Sequence, residues 1–170
     1  MKINLRRVTT GAVLIAAASA FLFCTGFTKA SDHGNHENGY LKSATYYSDD
    51  WVINFWNSES SHMDEELKQI REDGFNSIIL VVPWREFQPS MAPEHYNDYA
   101  WEKFDRVMKA AKAQDLKVML RVGYTWDYYS SENVLARYEK LLYDSETKKA
   151  WLHYAKRLYE KASAYDNFSG

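Results

Sequence analysis

Cysteine is almost absent from this sequence, since Cys24 is the only one among 170 residues. A chain with a single cysteine can form no internal disulfide and offers no cysteine cluster to bind a metal. The folded part must therefore be stabilised by packing. We expect neither a metal ion nor a cofactor.

Several motifs that mark common enzyme classes are also missing. The sequence has no glycine-rich phosphate loop, no His-Glu-x-x-His pair, no Gly-x-Ser-x-Gly elbow and no zinc-type ligand spacing. These absences disfavour nucleotide-dependent, zinc-dependent and serine-hydrolase chemistry.

Positive charge is scarce beyond the N-terminal segment. Four of the 21 basic residues precede residue 30, whereas all 23 acidic residues follow it, so the remainder has a net charge of −6. Nucleic-acid partners require a basic surface, so this balance argues against one.

Residues 1–30 have the layout of a secretory signal: basic residues, then an apolar run over 12–23, then small residues near Ala30. We expect cleavage there and a protein that is secreted or at the cell surface. The alternative is that this segment is retained as a membrane anchor, although its apolar run is shorter than a spanning helix needs. We expect no other contact with a membrane. Lipidation at Cys24 is disfavoured because Phe23 is bulky.

Residues 31–50 are predicted to be a flexible leader that approaches the first strand. The segment is polar, and its histidines, His33 and His36, fit a solvated linker better than a metal site. From residue 51 onwards, short apolar runs alternate with segments of helical period, which is typical of a parallel sheet built from βα units. We predict strands over 51–55, 77–82 and 117–122, and helices over 62–73, 99–114, 132–143 and 146–164.

Each predicted helix has an apolar face and a candidate N-cap. The caps are Ser61, Asp98, Ser131 and Ser145, and Gly74 ends the first helix. The predicted packing residues are Met63, Leu67, Ile70, Trp101, Phe104, Met108, Ala111, Leu135, Tyr138, Leu142, Trp151, Leu158 and Ala162.

Three βα units in 120 residues match about three eighths of a (β/α)8 barrel, which takes about 250 residues. A three-stranded parallel sheet leaves an unpaired edge and buries little apolar surface. We therefore predict an α/β fold that is a partial TIM barrel, with 51–170 as its truncated N-terminal part. The alternative is a second chain that completes the barrel.

Active sites of such barrels lie at the carboxyl ends of the strands, so the candidate site residues follow the apolar runs. Aromatic rings stack on sugars and amides bind hydroxyls. The predicted substrate-binding residues are Trp56, Asn57, Trp84, Arg121, Tyr124 and Trp126. Trp56 and Trp84 serve equally well as packed side chains. For Arg121 a functional role is favoured over its alternative, a salt bridge inside the barrel that serves only packing.

The stretch from Gly74 through Val82-Pro83-Trp84 and Pro89 to Leu120-Arg121-Val122-Gly123 resembles clan A glycoside hydrolases. It is most similar to the β-galactosidases of families 35 and 42, with cellulase-like enzymes as a second match. The resemblance covers 51–127. Two departures are Tyr124, which follows Gly123 directly, and Ile79, which stands where cellulases have an arginine.

The resemblance implies a glycosidase that cleaves O-glycosyl bonds with two carboxylates placed after strands four and seven. The sequence pattern predicts neither strand, so we expect no catalytic residue in this chain and no turnover by it alone. Glu86 and Asp127 fit solvated loop carboxylates better than a catalytic pair. The alternative function is a non-catalytic carbohydrate-binding protein of the cell surface.

Overall fold

Three parallel strands form the centre of the structure. The computed structural model describes residues 40–122 and 137–170, without the side chain of Tyr138. Strands β1 (Ser43–Tyr46), β2 (Ser77–Val81) and β5 (Lys117–Arg121) lie in the order β1-β2-β5. Tyr46 pairs with Leu80, which in turn pairs with Leu120, so the carboxyl ends of the strands share one edge. This confirms the predicted α/β fold with parallel strands.

The first strand lies earlier in the chain than the sequence pattern predicted. Residues 51–55 do not form a strand, and a short 3-10 helix covers Asn54–Asn57 instead. Strand β1 lies inside the predicted leader and has only one fully buried residue, Tyr46. Its weak apolar signal follows from its composition, because Ser-Ala-Thr-Tyr contains no aliphatic side chain larger than that of alanine, whereas the other two strands contain Ile, Leu, Val or Met.

Of the five helices, the single-turn one was not predicted, and the other four end within two residues of the predicted positions wherever those positions are described. They are α1 (Met63–Glu72), the single-turn α2 (Trp84–Phe87), α3 (Asp98–Ala113), α4 (Arg137–Tyr143) and α5 (Ser145–Ala162). A two-stranded hairpin of β3 (Ser90–Met91) and β4 (Glu94–His95) follows α2.

Three helix N-caps lie one residue from the predicted positions. His62 precedes α1 but makes no side-chain capping bond. Asn97 accepts a bond from the Ala100 amide, and Asp144 accepts one from the Thr147 amide. The prediction chose a neighbour because Asp98 and Ser145 are equally good capping types, and only the backbone path decides which side chain reaches the amide. Ser131 lies outside the described residues.

One face of the sheet packs against the helices and forms the core. The buried core includes Ile78, Leu80 and Val118 of the strands together with Leu67, Phe104, Met108, Leu158 and Ala162 of the helices. The predicted packing residues are confirmed in α1, α3 and α5. Leu142 is an exception, because it is 79% exposed, and Leu135 and the side chain of Tyr138 are outside the described part.

The last residues lie along the free edge of β5. The amide of Val118 donates to the Asn167 carbonyl at 2.8 Å, and the amide of Ser169 donates to the Val118 carbonyl at 2.9 Å. Val118 and Phe168 form a parallel bridge. The chain after α5 therefore takes the place and the direction of a fourth parallel strand. Within the described residues, no helix is long and apolar enough to cross a membrane.

Candidate functional site

The segment 51–57 folds over the carboxyl edge of the sheet. Val52 and Ile53 pack on Val81, and this small cluster is separate from the main core. The indole Nε1 of Trp56 donates to the Val81 carbonyl at 2.9 Å, so the last residue of β2 fixes the 3-10 helix. Trp56 and Asn57 were predicted to follow a strand over 51–55. They lie at the expected edge of the sheet, although the first strand is formed by Ser43–Tyr46 instead.

Two of the predicted stacking residues, Trp56 and Trp84, are completely buried. Trp56 packs edge-on against Phe55 and Phe87. Trp84 contacts Trp151 and Tyr154. Neither indole has a face open to a ligand, so both act as core residues at the strand ends.

The buried Trp84 ring has a polar shell around it. Its Nε1 donates to Gln88 Oε1 at 2.5 Å. The Arg137 guanidinium lies 4.9 Å from the ring centroid and donates to the carbonyls of Gln88 and Pro89, each at 2.6 Å. This shell fixes α2 and the start of the hairpin against α4.

Asn57, Glu86 and Asn97 form a polar group, here called the Asn57 cluster, next to these tryptophans. Asn57 Nδ2 donates to Glu86 Oε2. Asn97 Nδ2 lies 3.0 Å from Asn57 Oδ1 and 3.0 Å from the Glu86 carbonyl. Asn57 is exposed and Glu86 is half-buried. Amide and carboxylate groups in this arrangement can donate to and accept from the hydroxyls of a sugar.

A buried lysine holds the segment that carries this cluster. Lys103, in the middle of α3, has no exposed surface, and its Nζ donates to the Phe55 carbonyl, to the Ser58 carbonyl at 2.7 Å and to Ser60 Oγ at 2.8 Å. Its ammonium also lies 3.9 Å from the centroid of the Phe55 ring. Burial lowers the pKa of Lys103 to about 8, because desolvation disfavours the charged form.

Arg121 ends β5 on the sheet face opposite the helices. Val118, which is buried, and Leu120 point toward the helices, so the alternation along the strand turns Arg121 to the other face. Its side chain is exposed. In a closed barrel this face is the interior, and the carboxyl end is where substrates bind.

Tyr124, Trp126 and Asp127 lie outside the described residues. The structure therefore brings together Asn57 with Glu86, and it places Arg121 at the same edge of the sheet. Among residues 40–122 and 137–170, no group of three His, Cys, Asp or Glu side chains is arranged to hold a metal ion.

Comparison with known proteins gives structural neighbours only. No family model matches the sequence, and no curated protein matches it. A GH5_18 enzyme from Bifidobacterium longum subsp. longum superposes with a TM-score of 0.62 at 19% identity, over 78% of this chain and 32% of that chain.

Two further neighbours have similar scores. A GH5_18 variant from Streptomyces cattleya, solved in complex with Manβ1-4GlcNAc, gives a TM-score of 0.62 at 17% identity over 77% of this chain and 33% of its own. An exo-β-1,4-mannosidase from Opitutaceae bacterium strain TAV5 gives a TM-score of 0.60 at 16% identity. The superposition covers 72% of this chain and 22% of the mannosidase. The chain thus spans about a third or less of these neighbours.

The fold is that of a partial TIM barrel. At these identities the likeness establishes the fold and not the reaction. The neighbours are GH5 enzymes and a mannosidase, whereas the Val-Pro-Trp and Leu-Arg-x-Gly motifs had suggested families 35 and 42.

Sequence reasoning overlooked Lys103 and Asn97. Ala100, Lys103, Phe104 and Val107 follow one helical stripe, and all of them are buried. A lysine on such a stripe is a detectable signal, because a buried amine needs several acceptors. Asn97 gave no comparable signal, since its partner Asn57 is 40 residues away in the sequence.

Proposed function

We propose that this chain is the N-terminal part of a secreted GH5-type glycoside hydrolase that cleaves O-glycosyl bonds, with β-linked mannosides as the substrate class. The supporting observation is the parallel sheet with helices on one face, which superposes on about a third of two such enzymes and on 22% of a third one. The substrate class is drawn from the mannosidase and from the complex with Manβ1-4GlcNAc.

In this proposal, the chain contributes substrate contacts and the remaining strands contribute the chemistry. A retaining glycosidase needs two carboxylates about 5 to 5.5 Å apart. We assign both to polypeptide outside these 170 residues, in accordance with the resemblance that places them after strands four and seven. Asn57 binds a sugar hydroxyl, and Arg121 positions a catalytic glutamate inside the barrel.

Arg121 suits this role because of its position and its charge. The exposed guanidinium lies at the carboxyl end of a strand, on the face that becomes the interior of a closed barrel. A guanidinium in that interior requires a carboxylate partner, because desolvation without one is costly. The fixed fork of its N–H groups then orients that partner.

The test is an assay of the full-length polypeptide that contains this chain. We expect release of mannose from Manβ1-4GlcNAc and from 4-nitrophenyl β-mannoside, and no release by residues 31–170 alone. If the full-length protein released no sugar from any β-linked substrate, the hydrolase proposal would be overturned. Turnover by residues 31–170 would overturn the assignment of the carboxylates to other strands.

The alternative is a non-catalytic carbohydrate-binding protein. It relied on Trp56, Trp84, Tyr124 and Trp126 as stacking platforms, and the first two are buried. Glycan binding by the full-length protein without any released sugar is the result that would favour this alternative over hydrolysis.

A further inference from the structure

A groove of about 540 Å³ lies between the β3–β4 hairpin and the corner where α4 meets α5. This volume is within the range of small-molecule sites, about 300–1,000 Å³. Its lining includes Met91 and Glu94 from the hairpin, Tyr143 from the corner, and Lys149 and His153 from α5. None of these residues belongs to the Asn57 cluster.

The groove is on the same side of the sheet as the strand ends. The hairpin follows the carboxyl end of β2 after the single turn of α2. The residues after α5 run parallel to β5, so α5 must begin near the carboxyl edge and end near the amino edge. The first turns of α5, which line the groove, thus flank the edge where barrel enzymes bind substrate.

Two hydrogen bonds hold Glu94 in the wall of the groove. Its Oε1 accepts from Gln88 Nε2 at 2.9 Å and from the Tyr96 hydroxyl at 2.7 Å, and it lies 3.8 Å from His153 Nδ1. Gln88 is buried and is fixed in turn by Trp84. Within the described residues Oε2 makes no hydrogen bond, so one carboxylate oxygen is preorganised to accept a donor from a ligand.

The charges of the lining point to a neutral ligand. The lining contains Lys140 and Lys149 together with the carboxylates Glu94, Asp144 and Glu146, so neither sign of charge dominates. Asp144 is already committed to capping α5 through bonds to the Thr147 amide and hydroxyl. A groove that contains both ammonium and carboxylate groups suits a ligand that has many hydroxyls, each able to donate and accept.

An aromatic ring is also available in the groove. Tyr143 is 61% exposed, in contrast to the buried Trp56 and Trp84. A half-exposed ring beside polar groups is the arrangement that binds the apolar face of a sugar.

We propose that this groove is an accessory subsite for a neutral oligosaccharide, where it binds sugar units distant from the scissile bond. The proposal rests on the proposed glycosidase function, which it extends to chain-length specificity. Glu94 accepts from a sugar hydroxyl, Tyr143 stacks on a ring, and Lys149 donates to ring oxygens.

The direct test is calorimetric titration of the purified protein with mannotetraose. Glu94→Gln and Tyr143→Ala should each weaken binding by about tenfold. Tyr159→Ala is the matched control, because Tyr159 is a similarly exposed tyrosine of α5 outside the groove. Unchanged binding in both groove variants would overturn the subsite. Equal weakening in the control, or a lowered unfolding midpoint in the groove variants, would also overturn it.

Kinetics of the full-length polypeptide separate this proposal from the proposed function. The groove variants should raise KM for mannotetraose by about tenfold and leave kcat, and the KM for Manβ1-4GlcNAc, unchanged. Equal losses on both substrates would overturn the subsite, since the substitutions would then act at the reaction centre. If the protein bound mannotetraose through the groove but hydrolysed no substrate, the groove would stand as a binding site and the proposed glycosidase function would be overturned.

Discussion

The carboxyl ends of β2 and β5 differ in whether the large side chain at the strand end is buried or exposed. After β2 the chain turns at once into α2, and Trp84 becomes the centre of an aromatic cluster with Trp151 and Tyr154. At the end of β5, Arg121 is exposed on the face opposite the core helices. In this fold, the large side chain after β2 is structural because helices pack against it. The large side chain that ends β5 points away from those helices and is accessible to a ligand.

The largest expected effect on stability is at Trp84, which is buried after the carboxyl end of β2. Trp84→Ala should lower the free energy of unfolding by about 3–5 kcal/mol, because it empties a close-packed site and leaves Gln88 Oε1 without its donor. Urea denaturation measures the change. The control is Trp51→Ala, whose ring is 57% exposed and whose loss should cost about 0.5 kcal/mol or less. Similar losses for both would contradict the structural role of Trp84.

Next in size is the loss of the buried lysine. Lys103→Met should destabilise the protein by about 1–3 kcal/mol, because two carbonyls and one hydroxyl lose their donor. Lys109→Met on the same helix changes an exposed lysine and should have little effect. Thermal or urea unfolding compares the two, and an equal response would show that the Lys103 contacts contribute nothing.

The lowered pKa of Lys103 predicts that stability depends on pH. Its pKa falls from 10.5 in the unfolded chain to about 8 in the fold, so between these values the unfolded state binds more protons. The free energy of unfolding of the wild type, relative to Lys103→Met, should therefore rise with pH over this window, by up to about 1.4 kcal/mol per pH unit.

The effect of Lys103 on the pH dependence is measured as the difference in unfolding free energy between the wild type and Lys103→Met. Burial and the bond to Glu94 raise the pKa of Tyr96 to about 12, so the stability that this tyrosine contributes is complete below about pH 10 and is lost above it. That loss is common to both proteins and cancels. A flat difference between pH 8 and 10.5 would contradict the depressed pKa of Lys103.

The smallest effect on stability is expected at the open end. Arg121→Ala should change the free energy of unfolding of this chain by about 0.5 kcal/mol or less, because the side chain is exposed. In the full-length polypeptide the same substitution should reduce kcat strongly with little change in KM, as expected for a residue that positions a catalytic glutamate. A large loss of stability in residues 31–170 would place Arg121 with Trp84 among the structural residues.

Much of the fold was predictable because its signals are local. The apolar run of β2, the stripe of α3 and the glycine that ends α1 each fix an element within a few residues. Gly74 has a φ of +81°, a conformation that side chains disfavour, so a glycine there marks a helix end. Strand β1 escaped detection because its residues, Ser-Ala-Thr-Tyr, form no apolar run, whereas the more apolar 51–57 segment packs as a covering loop.

The site was less predictable because it depends on which residues meet. The sequence by itself determined the α/β class, the parallel sheet and the edge at which polar groups should gather, since hydrophobic period and helix caps are encoded over short stretches. Only the tertiary structure decided that Trp56 and Trp84 are buried, that Lys103 holds the 55–60 segment, and that Asn57 meets Glu86. Burial is a property of what packs behind a side chain, and Trp56 packs on Phe87, 31 residues away, while Trp84 packs on Tyr154, 70 residues away.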